Sequence, residues 1–407
     1  MLYIHSFFIF YFFCEICASC ATDVQGSTTG SDTSIALCSF IAATNVESLY
    51  TEWSCNTSGV PTTSPCNWTG LACTAESSDA VDSIVMSSVG LIGSLPATIT
   101  GLSGLNLLDL SENSLTGTIP TQLGELSRLG DLVLGLNAFS GSIPSSLGSL
   151  GFVVYLDLNS NCLTGTVPES LGLLSQITEL GFSDNRLHGT IPTSFSALTK
   201  LMYLDSNRNF FTGTIPPFVS SFVEMFYLSL YGNLLTGSIP PGLSGLSMVE
   251  GLFLDSNLLT GSVPTELASL VTLQLLRLDT NRLTGTMPTS LAALSSLNYL
   301  IMNDNLMGGP VRMVGLPALF YLDLSRNSLT GSIPGNVSLS LETFNVAFNS
   351  VSGSIPTAFG SSSSFHNLNV SNTRICKFLS LCRCCRRSLF VLCFSSLRLH
   401  LLLCCGI

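Results

Sequence analysis

Asparagine recurs at a fixed interval of 24 residues through the middle of the chain, and this periodicity constrains the fold more than any other feature. Nine asparagines follow that interval and two more follow at 22 residues: Asn113, Asn137, Asn161, Asn185, Asn209, Asn233, Asn257, Asn281, Asn305, Asn327 and Asn349. Each lies in a unit of the form LxxLxLxxNxLxGxIPxxLxxL, as in NSLTGTIP at 113–120. A unit this short cannot bury its own apolar side chains, so stacked copies must share one core. The period therefore predicts a solenoid.

The recurring positions of the unit predict its local structure. The LxLxx alternation predicts a short strand whose leucines point into the coil. We expect the asparagine amide inside the coil, bonded to backbone groups that the bend exposes. Glycine permits the next turn, proline suits the end of a strand, and xxLGxLxxL predicts a helical turn on the opposite side. In NLNVSNTRIC at 367–376, Asn372 comes one residue early, so we expect the coil to close there.

The unit, together with PCNWTGLAC at 65–73, resembles the plant-type leucine-rich repeat family. That family includes receptor-like proteins, ectodomains of receptor kinases and polygalacturonase-inhibiting proteins. The resemblance covers about residues 35–360 and implies an α/β fold, a curved leucine-rich repeat solenoid with a concave face of parallel strands and an N-terminal cysteine-containing cap. We expect the cap at 22–78, about 11–12 repeats at 79–372 and a separate tail at 373–407. The activity that the resemblance implies is extracellular binding.

Cysteine placement favours export. Four cysteines bracket the start of the array: Cys38, Cys55, Cys66 and Cys73. This grouping indicates two disulfides formed in an oxidising compartment, with connectivity left open. Members of the family often close the other end of the solenoid with a disulfide, for which Cys376 and Cys382 are the candidates.

The N-terminal residues also predict export. Residues 1–21 read as a signal peptide, with the apolar run FFIFYFF at 7–13 and small residues for cleavage after Ala21. Four sequons are candidate glycosylation sites: Asn56, Asn67, Asn336 and Asn369. We therefore place the protein in the secretory pathway, at the cell-surface membrane or outside the cell.

The tail at 373–407 has a composition unlike the rest of the chain and admits three interpretations. Its apolar end at 388–407 favours membrane association through a spanning or acylated segment, although Arg398 and His400 make insertion marginal. A lipid-anchor signal is the second interpretation, and small residues near Ser371 would supply its attachment site. The third is that the segment carries no selected structure.

Charge excludes one class of partner. Residues 1–372 hold all 25 acidic residues and only 8 of the 14 basic ones, so the body carries −17, whereas the tail carries +6. A nucleic-acid binder needs Lys and Arg to neutralise phosphates, so we expect no nucleic-acid partner. Kinase motifs are absent from the sequence, and His188, alone among the histidines in the regular array, has no nucleophile placed beside it. We expect no catalysis, no cofactor and no metal site.

The repeat unit also determines which strand positions face solvent. The residues at these positions predict an aromatic and acidic patch in repeats five to nine. Its candidate ligand-binding residues are Tyr203, Asp205, Phe226, Tyr227, Tyr231, Phe253, Asp255, Arg277, Asp279 and Tyr299. Exposed aromatic side chains with few rotamers are effective contact residues. The alternative is that Tyr and Asp at these positions belong to the scaffold, because YLDL is common in this repeat.

The sequence leads to two main functional hypotheses. The first is a receptor-like recognition protein, without its own kinase, that binds an extracellular peptide, glycan or protein on the concave face and signals through a membrane receptor kinase as co-receptor. The second is a secreted inhibitor of a cell-wall-degrading enzyme, similar to the polygalacturonase inhibitors. A structural adhesion role is a third option.

Overall fold

The fold was obtained as a computed structural model, which describes residues 32–74, 80–312, 316–335, 338, 340–361, 364–375, 391–395 and 398–401. The chain forms two compact units. The first unit contains the residues up to Ile177 and Phe182–Leu187, and the second contains Thr178–Gly181 and the residues from His188 onward. The predicted signal peptide, Cys376, Cys382 and Asn336 lie outside the described residues.

The first unit is built on short strands that follow one another along the sequence. Their bounds are Leu71–Cys73, Val81–Val85, Leu107–Asp109, Asp131–Val133 and Tyr155–Asp157. The first two strands pair antiparallel, and the later strands pair in parallel with their central leucines opposite one another, as Leu108 with Leu132. Both of these leucines are fully buried, as the alternation of the sequence predicts.

The second unit repeats this arrangement over more strands. Its parallel strands are Glu179–Gly181, Tyr203–Asp205, Tyr227–Ser229, Gly251–Phe253, Leu275–Arg277, Tyr299–Ile301, Tyr321–Asp323, Thr343–Asn345 and Asn367–Asn369. Two antiparallel strands, Val391–Ser395 and Arg398–Leu401, follow the last of them in the sheet. Leu204, Leu228, Leu252, Leu276 and Leu300 form one buried row beneath these strands. The fold class is confirmed as a leucine-rich repeat solenoid.

Each repeat continues from its strand into a lateral segment and a short 3₁₀ helix. The lateral strands are Ile92–Ser94, Ser114–Thr116, Ser140–Ser142, Cys162–Thr166, Arg186–Gly189, Phe210–Phe211, Gly308–Pro310, Ser328–Thr330, Ser352–Gly353 and Arg374–Ile375. The 3₁₀ helices of the repeats are Ala97–Gly101, Thr121–Glu125, Ser145–Ser149, Glu169–Leu173, Thr193–Ala197, Pro217–Ser221, Pro241–Gly245, Thr265–Ser269 and Thr289–Ala293. Each begins directly after a proline. In a 3₁₀ helix, residues three apart point to the same side. Leu123 and Leu126 have this spacing, and both are fully buried.

The recurring asparagine bonds to the backbone inside the coil, as predicted. Asn257 is 5% exposed, and its amide nitrogen donates to the carbonyl oxygens of Leu230 (3.0 Å), Leu254 (3.3 Å) and Asp255 (3.1 Å). Its Oδ1 accepts the N–H of Leu235 at 3.0 Å. Each such asparagine therefore satisfies backbone groups of its own repeat and of the one before it.

The end of the array differs from expectation. We call the recurring asparagine of each repeat the ladder asparagine. Asn372 adopts a φ of 51°, the left-handed conformation that other repeats show in the residue before the ladder asparagine, such as Ser256 at 54°. Thr373 then occupies the ladder position itself and donates to the carbonyl of Val370 at 2.7 Å. Asn372 is therefore not an early ladder residue, and the 24-residue frame counted from Asn349 extends to Thr373.

A cap of helices and disulfides precedes the first repeat. It contains the helices Asp32–Ala43 and Val46–Leu49 and the 3₁₀ helix Pro65–Asn67. The disulfides join Cys38 to Cys55 and Cys66 to Cys73, which settles the connectivity that the sequence left open. Trp53 and Trp68 are buried with ring centroids 4.9 Å apart. One further α-helix, Ala358–Ser361, lies near the end of the array.

Candidate functional site

Six neighbouring strands of the second unit, from Tyr203–Asp205 to Tyr321–Asp323, carry four positions each that the core leucines do not occupy; we call these positions the strand face. The leading row is Met202, Phe226, Glu250, Gln274, Asn298 and Phe320, and the first row is Tyr203, Tyr227, Gly251, Leu275, Tyr299 and Tyr321. The second row is Asp205, Ser229, Phe253, Arg277, Ile301 and Asp323, and the third row is Asn207, Tyr231, Asp255, Asp279, Asn303 and Ser325. The ten predicted ligand-binding residues all fall on this strand face.

One end of the strand face carries an exposed aromatic group. The rings of Tyr203 and Tyr227 lie nearly parallel, 13° apart, with centroids separated by 5.6 Å. Phe226 stacks on Tyr203 at 6.1 Å. The two tyrosines keep 39% and 38% of their surface exposed although they stack on each other, so they offer apolar area to solvent. Partial burial and the neighbouring Glu250 raise the pKa of Tyr227 above its ordinary value.

Gly251 makes this aromatic arrangement possible. It takes the first-row place beside Tyr227, and a Cβ built there would lie 2.5 Å from Cδ1 of Tyr227 and 2.8 Å from Cε2 of Phe253. The rings of Tyr227 and Phe253 therefore both extend over the glycine. A larger residue would force at least one of the rings to move.

A second aromatic group lies three strands away. The ring of Tyr299 is 5.6 Å from Phe320 and 6.2 Å from Tyr321, and Tyr299 is 39% exposed. Burial and the carboxylate of Asp323 raise the pKa of Tyr321. Asp323 itself accepts hydrogen bonds from Ser325 and Asn345, so it belongs to the internal bonding of the fold.

Between the two aromatic groups lies an ionic cluster of Asp255, Arg277 and Asp279. The Arg277 Nη2 atom is 3.2 Å from Oδ2 of Asp255, and its Nε atom is 3.4 Å from Oδ1 of Asp279. Burial is the largest cause that raises the pKa of Asp255 to about 6; Arg277 opposes the rise and Asp279 adds to it. Oδ1 of Asp255 is buried without a hydrogen-bond partner. The Arg277 guanidinium therefore contacts both carboxylates.

Asp205 and Tyr231 complete the predicted set. Asp205 is half-buried and accepts from the amide of Asn207, whose own Oδ1 is buried without a partner. Tyr231 is half-buried, and the guanidinium carbon of Arg208 lies 5.5 Å from its ring centroid.

The prediction was wrong about the exposure of two residues. Asp255 and Asp279 were expected to face solvent, but they are 2% and 7% exposed. Each lies two residues before a ladder asparagine, where the chain begins to bend inward, and this bend draws the carboxylates beneath Arg277. Gly251, Glu250 and Tyr321 also belong to the patch, although they were not among its predicted residues. A glycine in a row otherwise rich in tyrosine was the signal that could have identified Gly251.

The remaining candidates lie elsewhere. The sequon asparagines Asn56 and Asn67 are exposed on the cap, whereas Asn369 is half-buried in a strand and accepts the N–H of Ser371 at 3.2 Å. Within the described parts of the chain, no three His, Cys, Asp or Glu side chains are grouped to hold a metal ion. No helix in those parts has the length and apolar character needed to cross a membrane.

Comparisons with known proteins agree with the repeat pattern. Family models described as leucine rich repeat match residues 271–329 and residues 104–126, 152–174, 176–198 and 225–246. No functionally curated protein matches the chain in sequence.

Among solved structures, the chain is similar to several plant receptors bound to peptides. A plant peptide hormone receptor, RGFR1, in complex with RGF2 is 28% identical with a TM-score of 0.64, over 76% of this chain and 61% of that one. The complex PEPR1–AtPEP1 is 29% identical with a TM-score of 0.64, over 85% and 56% of the two chains. The Arabidopsis receptor kinase HAESA, solved with the peptide hormone IDA and the co-receptor SERK1, is 29% identical with a TM-score of 0.63, over 85% and 66%. The chain therefore spans about three fifths of the length of these receptors.

Proposed function

Because this chain belongs to the plant-type leucine-rich repeat family, we propose that it is a non-catalytic extracellular recognition protein that binds a peptide on the strand face of its second unit. It signals together with a membrane receptor kinase that acts as co-receptor. The observation that carries this proposal is the pair of exposed aromatic groups on either side of the ionic cluster. Recognition surfaces are enriched in rigid aromatic side chains and in arginine, and the strand face presents both.

Two further points support a peptide as the ligand. The similar receptors RGFR1 and HAESA were solved with the peptide hormones RGF2 and IDA. The strand face is also an open row of strands rather than an enclosed cavity, and such a surface suits an extended chain that contacts several repeats in turn. HAESA was solved with the co-receptor SERK1, which supports a kinase partner for this chain.

A peptide-selection experiment tests the proposal. The full chain, expressed in eukaryotic cells, is used to select binders from a displayed library of random twelve-residue peptides. The dissociation constants of the enriched peptides are then measured for the wild type, for the double variant Tyr227→Ala with Phe253→Ala, and for a matched control. The control, Val133→Ala with Tyr155→Ala, changes the corresponding rows on strands of the first unit.

We expect the Tyr227 and Phe253 variant to weaken binding at least about 10-fold, because truncation of aromatic anchors commonly costs more than 1 kcal/mol each. The control is expected to change affinity less than about 2-fold. Equal affinities of all three proteins, or the absence of any enriched peptide, would contradict the proposal. Circular dichroism of each variant excludes unfolding as the cause of lost binding.

Location is tested by fractionation. A tag inserted directly after Ala21 marks the mature chain, and the medium, alkali-washed membranes and cell interior are probed for it. Recovery in the medium or in membranes supports an extracellular or cell-surface role, and membrane recovery specifically supports the receptor-like form. Recovery only inside the cell, without passage through the secretory pathway, contradicts it.

A further inference from the structure

We propose that the peptide bound on the strand face is cationic. Its Lys or Arg side chains contact the two aromatic groups and the carboxylates between them, whose negative charge exceeds the positive charge of Arg277. This inference rests on the proposed function, because it specifies the charge of the ligand at the same site. Three features of the strand face lead to it: its charge, its two unpartnered buried acceptors and its exposed aromatic rings. The spacing of the aromatic groups then predicts the spacing of the basic residues.

The strand face has a large excess of negative charge. Its rows carry the five carboxylates of Asp205, Glu250, Asp255, Asp279 and Asp323. Arg277 is the one basic residue in these rows, so the formal charge of the strand face is −4. Three of these carboxylates are buried and two are half-buried, so their excess charge acts through the field that it produces at the strand face. A net negative field attracts and orients a cationic partner and repels an anionic one.

The unpartnered atoms of the strand face are both hydrogen-bond acceptors. Oδ1 of Asp255 and Oδ1 of Asn207 are buried without a partner, and Asp255 is only 2% exposed. A buried carboxylate oxygen without a donor is costly, so a ligand that brings N–H groups gains more here than one that brings acceptors. Arg277, whose side chain is 32% exposed, contacts the other oxygen of Asp255, so a ligand guanidinium would reach Oδ1 of Asp255 only where the Arg277 side chain moves aside.

The aromatic groups favour the same chemistry. The faces of aromatic rings carry partial negative charge and attract ammonium and guanidinium groups. The described part of the second unit already contains this contact, since the guanidinium carbon of Arg208 lies 5.5 Å from the ring centroid of Tyr231 and that of Arg326 lies 4.7 Å from the ring centroid of Phe348. The hydroxyl of Tyr227 also bonds to the side chain of Glu250, which places a carboxylate at the edge of this exposed ring.

The spacing of the aromatic groups predicts the spacing of the basic residues. Tyr227 and Tyr299 lie three strands apart in the first row, and neighbouring strands are about 4.8 Å apart, so the two groups are separated by about 14 Å. An extended peptide advances about 3.3 Å per residue and needs about four residues to cover that distance. Side chains four residues apart on an extended chain point to the same side. Basic residues at positions i and i+4 therefore fit both groups.

The experiment uses defined twelve-residue peptides of glycine and serine with capped ends. One carries Arg at positions 4 and 8, two controls carry Gln or Glu at those positions, and a third carries Arg at positions 4 and 9, which point to opposite sides. Affinities are measured by calorimetry or biolayer interferometry against the full chain, its Tyr203→Leu with Tyr227→Leu variant, and Tyr155→Leu as the matched control. Tyr155 begins the strand Tyr155–Asp157 of the first unit, as Tyr203 begins Tyr203–Asp205.

We expect the 4,8-Arg peptide to bind about 10-fold or more tightly than the Gln and Glu peptides, and about 3-fold more tightly than the 4,9-Arg peptide. The Tyr203 and Tyr227 variant is expected to lose most of this preference, and Tyr155→Leu to keep it. Glu250→Gln provides a second variant, which removes the charge of this side chain but keeps its shape. It is expected to weaken the Arg peptide about 2-fold to 3-fold more than it weakens the Gln peptide.

The outcomes separate this inference from the proposed function. Equal binding of the Gln and Arg peptides, weakened by the tyrosine variant, would overturn the cationic ligand but leave peptide binding at the strand face intact. Arg-peptide binding that no variant changes would overturn the site. Binding of a neutral oligosaccharide such as cellohexaose, lost in the tyrosine variant and without any peptide binding, would overturn both.

Discussion

Replacing Asp255 by Asn is predicted to stabilise the protein at neutral pH, although it breaks an ion pair. Burial raises the pKa of this carboxyl to about 6 from an ordinary value of 3.8, even with Arg277 beside it. Each unit of pKa shift corresponds to about 1.4 kcal/mol, so the charged form costs the fold up to about 3 kcal/mol above pH 6. Asparagine keeps the shape without the charge, and Asn207 and Asn303 already stand at the same third-row position of other strands.

The sign of the pH dependence follows from the direction of the shift. Because the folded-state pKa of Asp255 is raised, the folded protein binds this proton more tightly than the unfolded chain between about pH 4 and pH 6. The contribution of the wild-type residue to stability is therefore most favourable below pH 4 and declines as the pH rises through 6. The advantage of Asp255→Asn is expected to be full at pH 7.5 and to vanish near pH 4.

Thermal unfolding followed by circular dichroism and calorimetry at pH 4, 5, 6 and 7.5 measures this difference. A gain approaching 3 kcal/mol corresponds to a rise in Tm of roughly 5 °C or more at pH 7.5 for a cooperative unit of this size. The complementary variant Arg277→Met leaves both carboxylates without their cation, so it is expected to destabilise more at pH 7.5 than at pH 4. If Asp255→Asn instead lowers Tm equally at every pH, then Arg277 compensates fully for the buried charge and the reasoning is refuted.

Three further predictions concern the recurring asparagine, Gly251 and the carboxylates of the strand face. Asn257→Ala is expected to lower the free energy of unfolding by about 3 kcal/mol, because it leaves the N–H of Leu235 and three carbonyl oxygens without their partner; a loss below about 1 kcal/mol in chemical denaturation would show that water replaces the amide. Gly251→Ala is expected to change Tm little but to weaken peptide binding severalfold, since its Cβ would displace the exposed ring of Tyr227; unchanged affinity would mean that the ring position is irrelevant to binding. Peptide affinity is expected to fall as salt rises from 50 to 500 mM, and affinity independent of salt would contradict the role of the carboxylates.

Much of the fold was predictable from the sequence because the repeat fixes both period and direction. The leucine alternation assigns Leu252 and Leu276 to the core, and the fixed place of the asparagine assigns its amide to the backbone of two repeats. The register at Thr373 was not predictable from residue type, because threonine there replaces the ladder amide with a hydroxyl. Cysteine positions indicated two disulfides, but only the folded cap decides which cysteines lie close together.

The candidate site was predictable in its membership and less so in its geometry. The frame places Tyr203, Tyr227 and Tyr299 in one exposed row, and the structure agrees. The repeat pattern does not reveal that Asp255 lies buried beneath Arg277, because this burial depends on where the chain begins to bend toward the ladder asparagine. Nor does it show that two rings extend over Gly251, because that contact depends on rotamers in adjacent repeats.

Peptide binding at the strand face of the second unit can be tested at the level of single residues. Photo-crosslinking tests it most directly: a peptide enriched in the selection carries a benzophenone side chain, is irradiated in complex with the full chain, and the attached residues are identified by mass spectrometry. We expect crosslinks within the rows from Tyr203 to Tyr321 that are lost when unlabelled peptide competes. Specific crosslinks to the 3₁₀ helices, the lateral strands or the cap instead would contradict it.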